Sequence, residues 1–308
     1  MFRKLIILLF INIFIVTASP PAYAQQERAA KLYQAALSDY ELGNYKQALK
    51  KIQRAFSLAE GLKISAYDRA QGTLLLAETL RSLGHYKEAE EEFMKSMDLA
   101  NQSGSKKNFV LSRVYNNLGA LYILTSQFPE SEEYFKKSEK VSDKNFIYVS
   151  VNNLARLYLA WGKLDLAEEY LEKAKKYTRR NSNNTKPFYL FNLAKYERMK
   201  GNYSNAEKYY QESLDLLKKV VGEKHVHYTY VLSDLADFYR EQSKFSEAEK
   251  IGRNILKIRQ DTFDEENPLV PASMVFLADV LADQGKYAEA RELANRADRK
   301  STRLNSSH

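Results

Sequence analysis

Small and apolar residues recur along this chain at fixed distances from a turn signal. Seven turn positions, Gly43, Gly84, Ser126, Gly162, Gly201, Ser243 and Gly285, are each followed two residues on by an aromatic or leucine: Tyr45, Tyr86, Phe128, Leu164, Tyr203, Phe245 and Tyr287. Five residues after the turn stands a small residue: Ala48, Ala89, Ser131, Ala167, Ala206, Ala248 or Ala290. Seven before it stands another: Ala36, Ala77, Gly119, Ala155, Ala194, Ala236 or Ala278, preceded from the second copy on by Leu76, Leu118, Leu154, Leu193, Leu235 and Leu277. The turns lie 41, 42, 36, 39, 42 and 42 residues apart. Each feature has a physical use. Glycine ends a helix because it adopts the left-handed conformation without a steric penalty. The aromatic plugs the space between paired helices, and small residues on both sides let the two helices cross closely. The pattern predicts two helices per repeat, helix A before the turn and helix B after it, with no β-sheet.

One such hairpin cannot bury its own apolar faces, so the copies must stack into a continuous array. The pattern resembles the tetratricopeptide repeat (TPR), and the 42-residue spacing resembles the longer kinesin-light-chain-like subtype. The fullest resemblance runs through Val221-Gly222-Glu223-Lys224-His225, Leu235-Ala236 and Gln242-Ser243-Lys244-Phe245-Ser246-Glu247-Ala248-Glu249, with echoes at Asn116-Asn117-Leu118-Gly119 and Asn152-Asn153-Leu154-Ala155. It implies an all-α, right-handed superhelical solenoid of about seven repeats, at about 27–63, 64–107, 108–145, 146–184, 185–226, 227–268 and a truncated 269–297. Ser126 and Ser243 replace the turn glycine, Ser131 replaces the packing alanine, and Gly252 stands where helix B usually carries a large side chain. Repeats three and six are therefore expected to be the least stable.

Both ends read differently from the array. Residues 1–24 carry Arg3 and Lys4, an uncharged run from Leu5 to Val16, and Ala22-Tyr23-Ala24, the order of a secretory signal peptide cleaved after Ala24. A run that short spans roughly 18 Å as a helix, against about 30 Å of bilayer hydrocarbon, so a cleaved leader is expected in place of a membrane anchor. The final residues 298–308, DRKSTRLNSSH, match the translation of a sequencing-library adapter, which implies that the natural sequence continues differently after Ala297. That segment is left out of the fold reasoning.

Composition narrows the chemistry. The 308 residues contain no cysteine, which excludes disulfides, thiolate metal sites and a cysteine nucleophile, while 22 Tyr and 15 Phe give ample apolar surface to bury. With the leader and tail removed, the formal charge of +8 falls to about +4, and basic residues alternate with acidic ones. Nucleic acid is not an expected partner. His225 and His227 form an H-x-H without a third clear ligand, so no metal site is expected and His225 reads as a loop or capping residue. Glu88, Glu90, Glu91 and Glu92 read as a solvated helix face, and the tyrosine stripes as core. Neither catalytic residues nor a cofactor are expected.

Function is then sought in the groove lined by helix A. Nine residues before the turn lie Gln34, Leu75, Asn117, Asn153, Asn192, Asp234 and Phe276. In related repeats an asparagine there holds a peptide backbone, since a carboxamide both donates and accepts; bridging neighbouring helices is the equal alternative. Six before the turn lie Leu37, Glu78, Ala120, Arg156, Lys195, Asp237 and Asp279. With Arg198, repeats four and five present positive charge; with Asp234, Glu241 and Asp283, repeats six and seven present negative charge. The candidate groove is Asn117, Asn153, Arg156, Asn192, Lys195, Arg198, Asp234 and Asp237, and uncorrelated surface charge is the alternative reading of its polarity. The expected function is an exported, periplasmic or secreted scaffold that binds another protein or peptide segment, with membrane contact only through an uncleaved leader. The alternative is the N-terminal sensory or regulatory arm of a longer enzyme of the caspase-like protease or histidine kinase type.

Overall fold

The structure is a computed structural model and describes residues 20–178, 182–263 and 267–306. The charged and apolar parts of the leader lie outside the described residues. All regular structure among the described residues is helical. Repeat one is α1 (Pro20–Glu41) and α2 (Tyr45–Ala59), repeat two is α3 (Ala66–Leu83) and α4 (Tyr86–Asn101), and repeat three is α5 (Lys107–Leu124) and α6 (Phe128–Val141). Repeat four is α7 (Ile147–Ala160) and α8 (Leu164–Thr178), and repeat five is α9 (Ser182–Met199) and α10 (Tyr203–Val220). Repeat six is α11 (Val226–Glu241) and α12 (Phe245–Thr262), and repeat seven is α13 (Leu269–Asp283) and α14 (Tyr287–Ser306). Pro20 and Pro21 open α1, where the backbone N–H that proline lacks would have no helical partner in any case. At the other end α14 runs on through the adapter-like residues to Ser306, and Ala297 is 1% exposed within it.

All seven turn positions are left-handed, with φ between 58° and 91°. Ser126 (φ 59°) and Ser243 (φ 58°) are the two non-glycine residues with positive φ among the described residues, and they are the two places where the turn glycine is missing. The backbone shape is thus kept, at the steric cost that a Cβ carries in this region.

The small residues work as the pattern required. Ala36, Ala48, Ala77, Ala89, Ala155, Ala167, Ala194, Ala206, Ala236 and Ala248 are fully buried where α-hairpins cross. Ser131 is equally buried, and its hydroxyl donates to the Gly119 carbonyl at 2.7 Å, so this departure from alanine carries its own hydrogen bond. A further small position on helix B escaped the sequence reading. Ser96 donates to the Ala70 carbonyl at 2.7 Å, Ser138 to the Ser112 carbonyl at 2.6 Å, and Ser213 to the Pro187 carbonyl at 2.8 Å. Each stands twelve residues after its turn, and Ala55, Ala174 and Ala297 hold the same place elsewhere. Where Gly252 leaves room on α12, Phe276 of the next repeat fills it: a Cβ at Gly252 would lie 3.1 Å from its ring.

Successive repeats are tied by a second ladder. The Tyr122 hydroxyl donates to Glu90, that of Tyr158 to Glu132 at 2.9 Å, and that of Tyr239 to Glu207 at 2.7 Å, each from a helix A to the preceding helix B. Gln284 donates to Glu249 in the same manner, at 2.8 Å. Glu90 is therefore a tie between repeats, which the expected solvated face of residues 88–92 did not include; Lys95 pairs with Glu92 at 2.6 Å, three residues along the helix.

The superhelix closes on itself. The turn of repeat one and that of repeat two rest against the connection between α12 and α13. Tyr45 stacks on Phe263, a Cβ at Gly43 would lie 3.2 Å from the Phe263 ring, and one at Gly84 would lie 3.4 Å from Cγ of Pro268. Tyr45, Leu256, Phe263, Val270 and Met274 share one apolar cluster, with Tyr40 and Leu83 packed against it. These contacts place the concave face on the inside of the superhelix, the side called the lumen below.

Candidate partner-binding site

The helix-A residues predicted to line the groove are brought together, but many are already engaged with one another. Asn117 donates to Glu78 at 2.7 Å and to the Arg113 carbonyl at 3.0 Å. Asn153 donates to Oδ1 of Asn116 at 2.8 Å, and Asn192 donates to the Asn152 carbonyl at 2.9 Å. Asn192 is 1% exposed, so its carboxamide lies between helices and offers no surface to the groove. These amides register one helix A against the next.

The expected charge polarity resolves mostly into ion pairs between repeats. Lys195 lies 3.2 Å from Asp234, and Arg198 lies 3.7 Å from Asp234 while also pairing through two nitrogens with Glu241. Arg240 pairs with Asp283 at 2.5 Å and reaches Asp279 at 3.6 Å. The positive charge of repeat five is thus neutralised by repeat six, and that of Arg240 by repeat seven. Side chains seven residues apart along one helix point toward the same neighbour, which is why a sequence reading of each repeat alone did not reveal the pairing.

Two predicted residues remain apart from these pairs. Asp237 sits between the Arg198–Glu241 and Arg240–Asp283 pairs, in a pocket of about 570 Å³ lined by Arg198, Asp237, Arg240, Glu241, Phe245 and Asp283. Burial, then the nearby Asp234 carboxylate, pushes its pKa above the usual aspartate value, while Arg198 and Arg240 pull it back. Arg156 makes no ion pair among the described residues, and its Nε is shielded from solvent without a hydrogen-bond partner. Its guanidinium is pushed down to about 10, first by burial and then by Arg81.

Around Arg156 the lumen gathers side chains that the sequence had not associated. Arg81 of α3 also has a shielded Nε without a partner. Its charge acts on Glu78, whose carboxyl is raised by burial ahead of the opposing pull of Arg81, Arg113 and Asn117. His227 of α11 is held neutral, its ring lowered to about 3 by burial first and then by His225, Arg81 and Arg156. Tyr230 is 44% exposed to the same space. His225 caps α11, accepting from the His227 amide at 3.2 Å. Among the described residues, no group of three or more His, Asp or Glu is placed to hold a metal ion. Nor is any described helix long and apolar enough to cross a membrane.

Family models described as tetratricopeptide repeat match residues 27–103, 68–144, 149–181, 185–261 and 227–297. The chain belongs to the tetratricopeptide-repeat family. No curated protein matches the sequence. Among solved structures, this TPR chain is similar to the Rap conjugation gene regulator of plasmid pLS20 in complex with a Phr peptide, at 13% identity and a TM-score of 0.72, covering 96% of this chain and 80% of that one. It is similar to kinesin light chain TPR-like repeats from Podosopora anserina, at 20% identity and a TM-score of 0.49, covering 64% and 98%. A signal transduction ATPase with a TPR sensor from Pyrococcus horikoshii matches at 16% identity and a TM-score of 0.52, covering 91% of this chain and 43% of that one. At these identities the likeness shows the fold, an α-solenoid of TPR hairpins.

Proposed function

We propose that this TPR protein is an exported scaffold that holds a segment of another protein against its concave face. The observation that carries the reading is the pocket at repeats five to seven, where Asp237 stands half-buried and outside the ion pairs that flank it. A carboxylate in that setting suits a cationic side chain of the bound segment, while the flanking pairs fix its surroundings. The pLS20 regulator, of similar fold, is seen with a peptide bound. Cofactor, metal and nucleic acid have no part in the reading. Export rests on the charged, apolar and A-x-A order of residues 1–24.

The test is affinity for a partner purified from the exported fraction on the wild-type chain. Asp237→Asn should weaken binding by roughly 1–3 kcal/mol with unchanged helicity; equal affinity would remove the pocket from the site. N-terminal sequencing of the exported protein should begin at Gln25, and retention of Met1 would refute cleavage. A second reading, a sensory arm within a longer enzyme, is favoured by the similarly folded TPR segment described as a sensor in the Pyrococcus ATPase. Partner capture by the full-length gene product, followed by an assay for peptidase or kinase activity, separates the two.

A further inference from the structure

The seven hairpin tips, where helix A turns into helix B, do not all meet the same surroundings. The first two are covered by closure: Tyr45 is 7% exposed, stacked on Phe263, and Gly84 rests against Pro268. The last two carry an acid two residues before the turn, Glu241 and Asp283, paired with Arg198 and Arg240. The tips at Ser126, Gly162 and Gly201 differ from both kinds. Leu124 (53% exposed) and Met199 (44%) stand two residues before the turn in repeats three and five, and Tyr203 (51%) stands two residues after it. In repeat one that last place belongs to the covered Tyr45.

These three tips are joined by contact and share one chemistry. The Phe128 ring of repeat three lies 5.8 Å from the Trp161 ring of repeat four, and both pack with Leu164 on a single apolar cluster. Lys163 lies over the Trp161 ring, its Nζ 3.1 Å from the centroid, and Lys200 lies 5.6 Å from that of Tyr196. From two residues before each turn to two after it, the tips read LTSQF, AWGKL and MKGNY, with two lysines and no carboxylate. The nearest acids in sequence, Glu130 and Asp165, belong to the first turns of α6 and α8, where a carboxylate suits the helix dipole.

Apolar side chains left exposed together mark a contact surface, and the residue types here select what it contacts. Trp and Tyr suit the boundary between lipid and water, where a ring of mixed polarity meets both. A lysine stem lies along apolar surface while its ammonium reaches an anionic headgroup. A protein would need a surface shaped to three separate tips, whereas a headgroup layer deforms around them. We propose that the hairpin tips of repeats three to five dock the array edge-on against an anionic lipid surface. Leu124, Trp161, Met199 and Tyr203 enter the headgroup layer, and Lys163 and Lys200 meet its negative charge. The contact is peripheral, as no described helix is long and apolar enough to cross a membrane. It adds a membrane contact within the array to the one expected of an uncleaved leader, and it leaves the helix A face to a polypeptide partner.

Trp161 is the one tryptophan of the chain, which makes the test local. The full chain is titrated with vesicles of phosphatidylcholine, and with vesicles of phosphatidylcholine and phosphatidylglycerol in equal amounts. On the mixed vesicles Trp161 emission should move to the blue and be quenched by lipids brominated on the acyl chains; on phosphatidylcholine alone it should change little. Attachment through a retained leader does not bury Trp161, and every variant carries the same leader. Lys163→Gln with Lys200→Gln should raise the lipid concentration at half-response about thirtyfold, at about 1 kcal/mol for each lysine. Leu124→Ser with Met199→Ser should raise it about tenfold or more, from the apolar area lost. Circular dichroism checks that each variant is folded; if the serine pair is not, the lysine pair and the wild-type titration decide. Equal responses on the two kinds of vesicle, a response unchanged in the lysine pair, or emission unaltered at saturating lipid would each overturn the proposal. So would self-association, seen by sedimentation, that the serine pair abolishes, because the tips would then join two copies of the chain. Affinity for the protein partner should be the same in these variants as in the wild type; a loss would assign the tips to that partner and leave the lipid contact refuted.

Discussion

The ring of Tyr45 lies against that of Phe263, with centroids 6.1 Å apart and planes 14° from parallel, although the two stand at opposite ends of the array. Tyr45 is the aromatic plug of the first hairpin, and Phe263 ends the helix of the sixth. One contact therefore joins the packing of a single repeat to the closure of the whole superhelix.

Phe263→Ala should open that closure. Phe263 is 6% exposed, and losing it removes an aromatic pair worth about 0.5–1.5 kcal/mol beyond its buried area. Because each repeat is stabilised by its neighbours, the helices should persist while the superhelix extends. Small-angle scattering should show a larger radius of gyration with an unchanged helical circular dichroism signal. A radius equal to that of the wild type would show that closure does not depend on this contact.

Ser126→Gly and Ser243→Gly should each stabilise the array by about 0.5–1 kcal/mol, because glycine relieves the left-handed strain at some cost in unfolded-state entropy. Amide hydrogen exchange should slow first in repeats three and six, where these turns lie. Faster exchange there in either variant would mean that the serine hydroxyl contributes more than the strain removes.

Gly119→Ala should destabilise despite the better helix propensity of alanine. A Cβ there would lie 2.7 Å from the Phe135 ring, which is fully buried. Overpacking of this kind costs typically about 1–3 kcal/mol. Thermal unfolding should show the loss, and Gly119→Ala with Phe135→Leu should recover part of it. A double variant no more stable than the single one would contradict the packing account.

Acidification should loosen the lumen through His227. Its folded value is held at about 3 against about 6.5 for a free imidazole, so the unfolded chain binds more protons between those limits. Stability from this group is complete above that window and falls as the pH drops through it; His225, also lowered by burial, acts in the same sense. Glu78 and Asp237, raised by burial, act oppositely, gaining stability as they take up protons in acid. Comparing melting temperatures at pH 7.5 and pH 5 isolates the histidine: the wild type should lose more than His227→Gln. Equal losses would place the titrating group elsewhere.

The repeat was legible because its determinants are local. A glycine that ends a helix, an alanine at a crossing and a leucine before it each act within one hairpin, so their spacing alone located all seven turns. The serine turns were legible as departures, and their positive φ is the strain that the missing glycine implies. The candidate site was read less fully, since its geometry is set between repeats. Nothing near Lys195 or Arg198 in sequence announces that Asp234 and Glu241, about one repeat later, will neutralise them. The filling of Gly252's space by Phe276 is of the same kind. The twelve-residue offset of Ser96, Ser138 and Ser213 from their turns was present in the sequence; aligning the polar residues of helix B as well as the apolar ones would have found it.

The central claim is that the partner lies inside the superhelix, and site-specific photocrosslinking tests it most directly. A benzophenone amino acid is placed at Tyr230, which faces the lumen and is 44% exposed, and separately at Tyr287, which is 68% exposed on the helix B side of repeat seven. Both chains are irradiated with the partner purified on the wild-type protein, and the crosslinked peptides are identified by mass spectrometry. The account predicts one defined partner segment captured at position 230 and none at 287. Capture at 287 with none at 230 would place the binding surface on the outside of the array and contradict it.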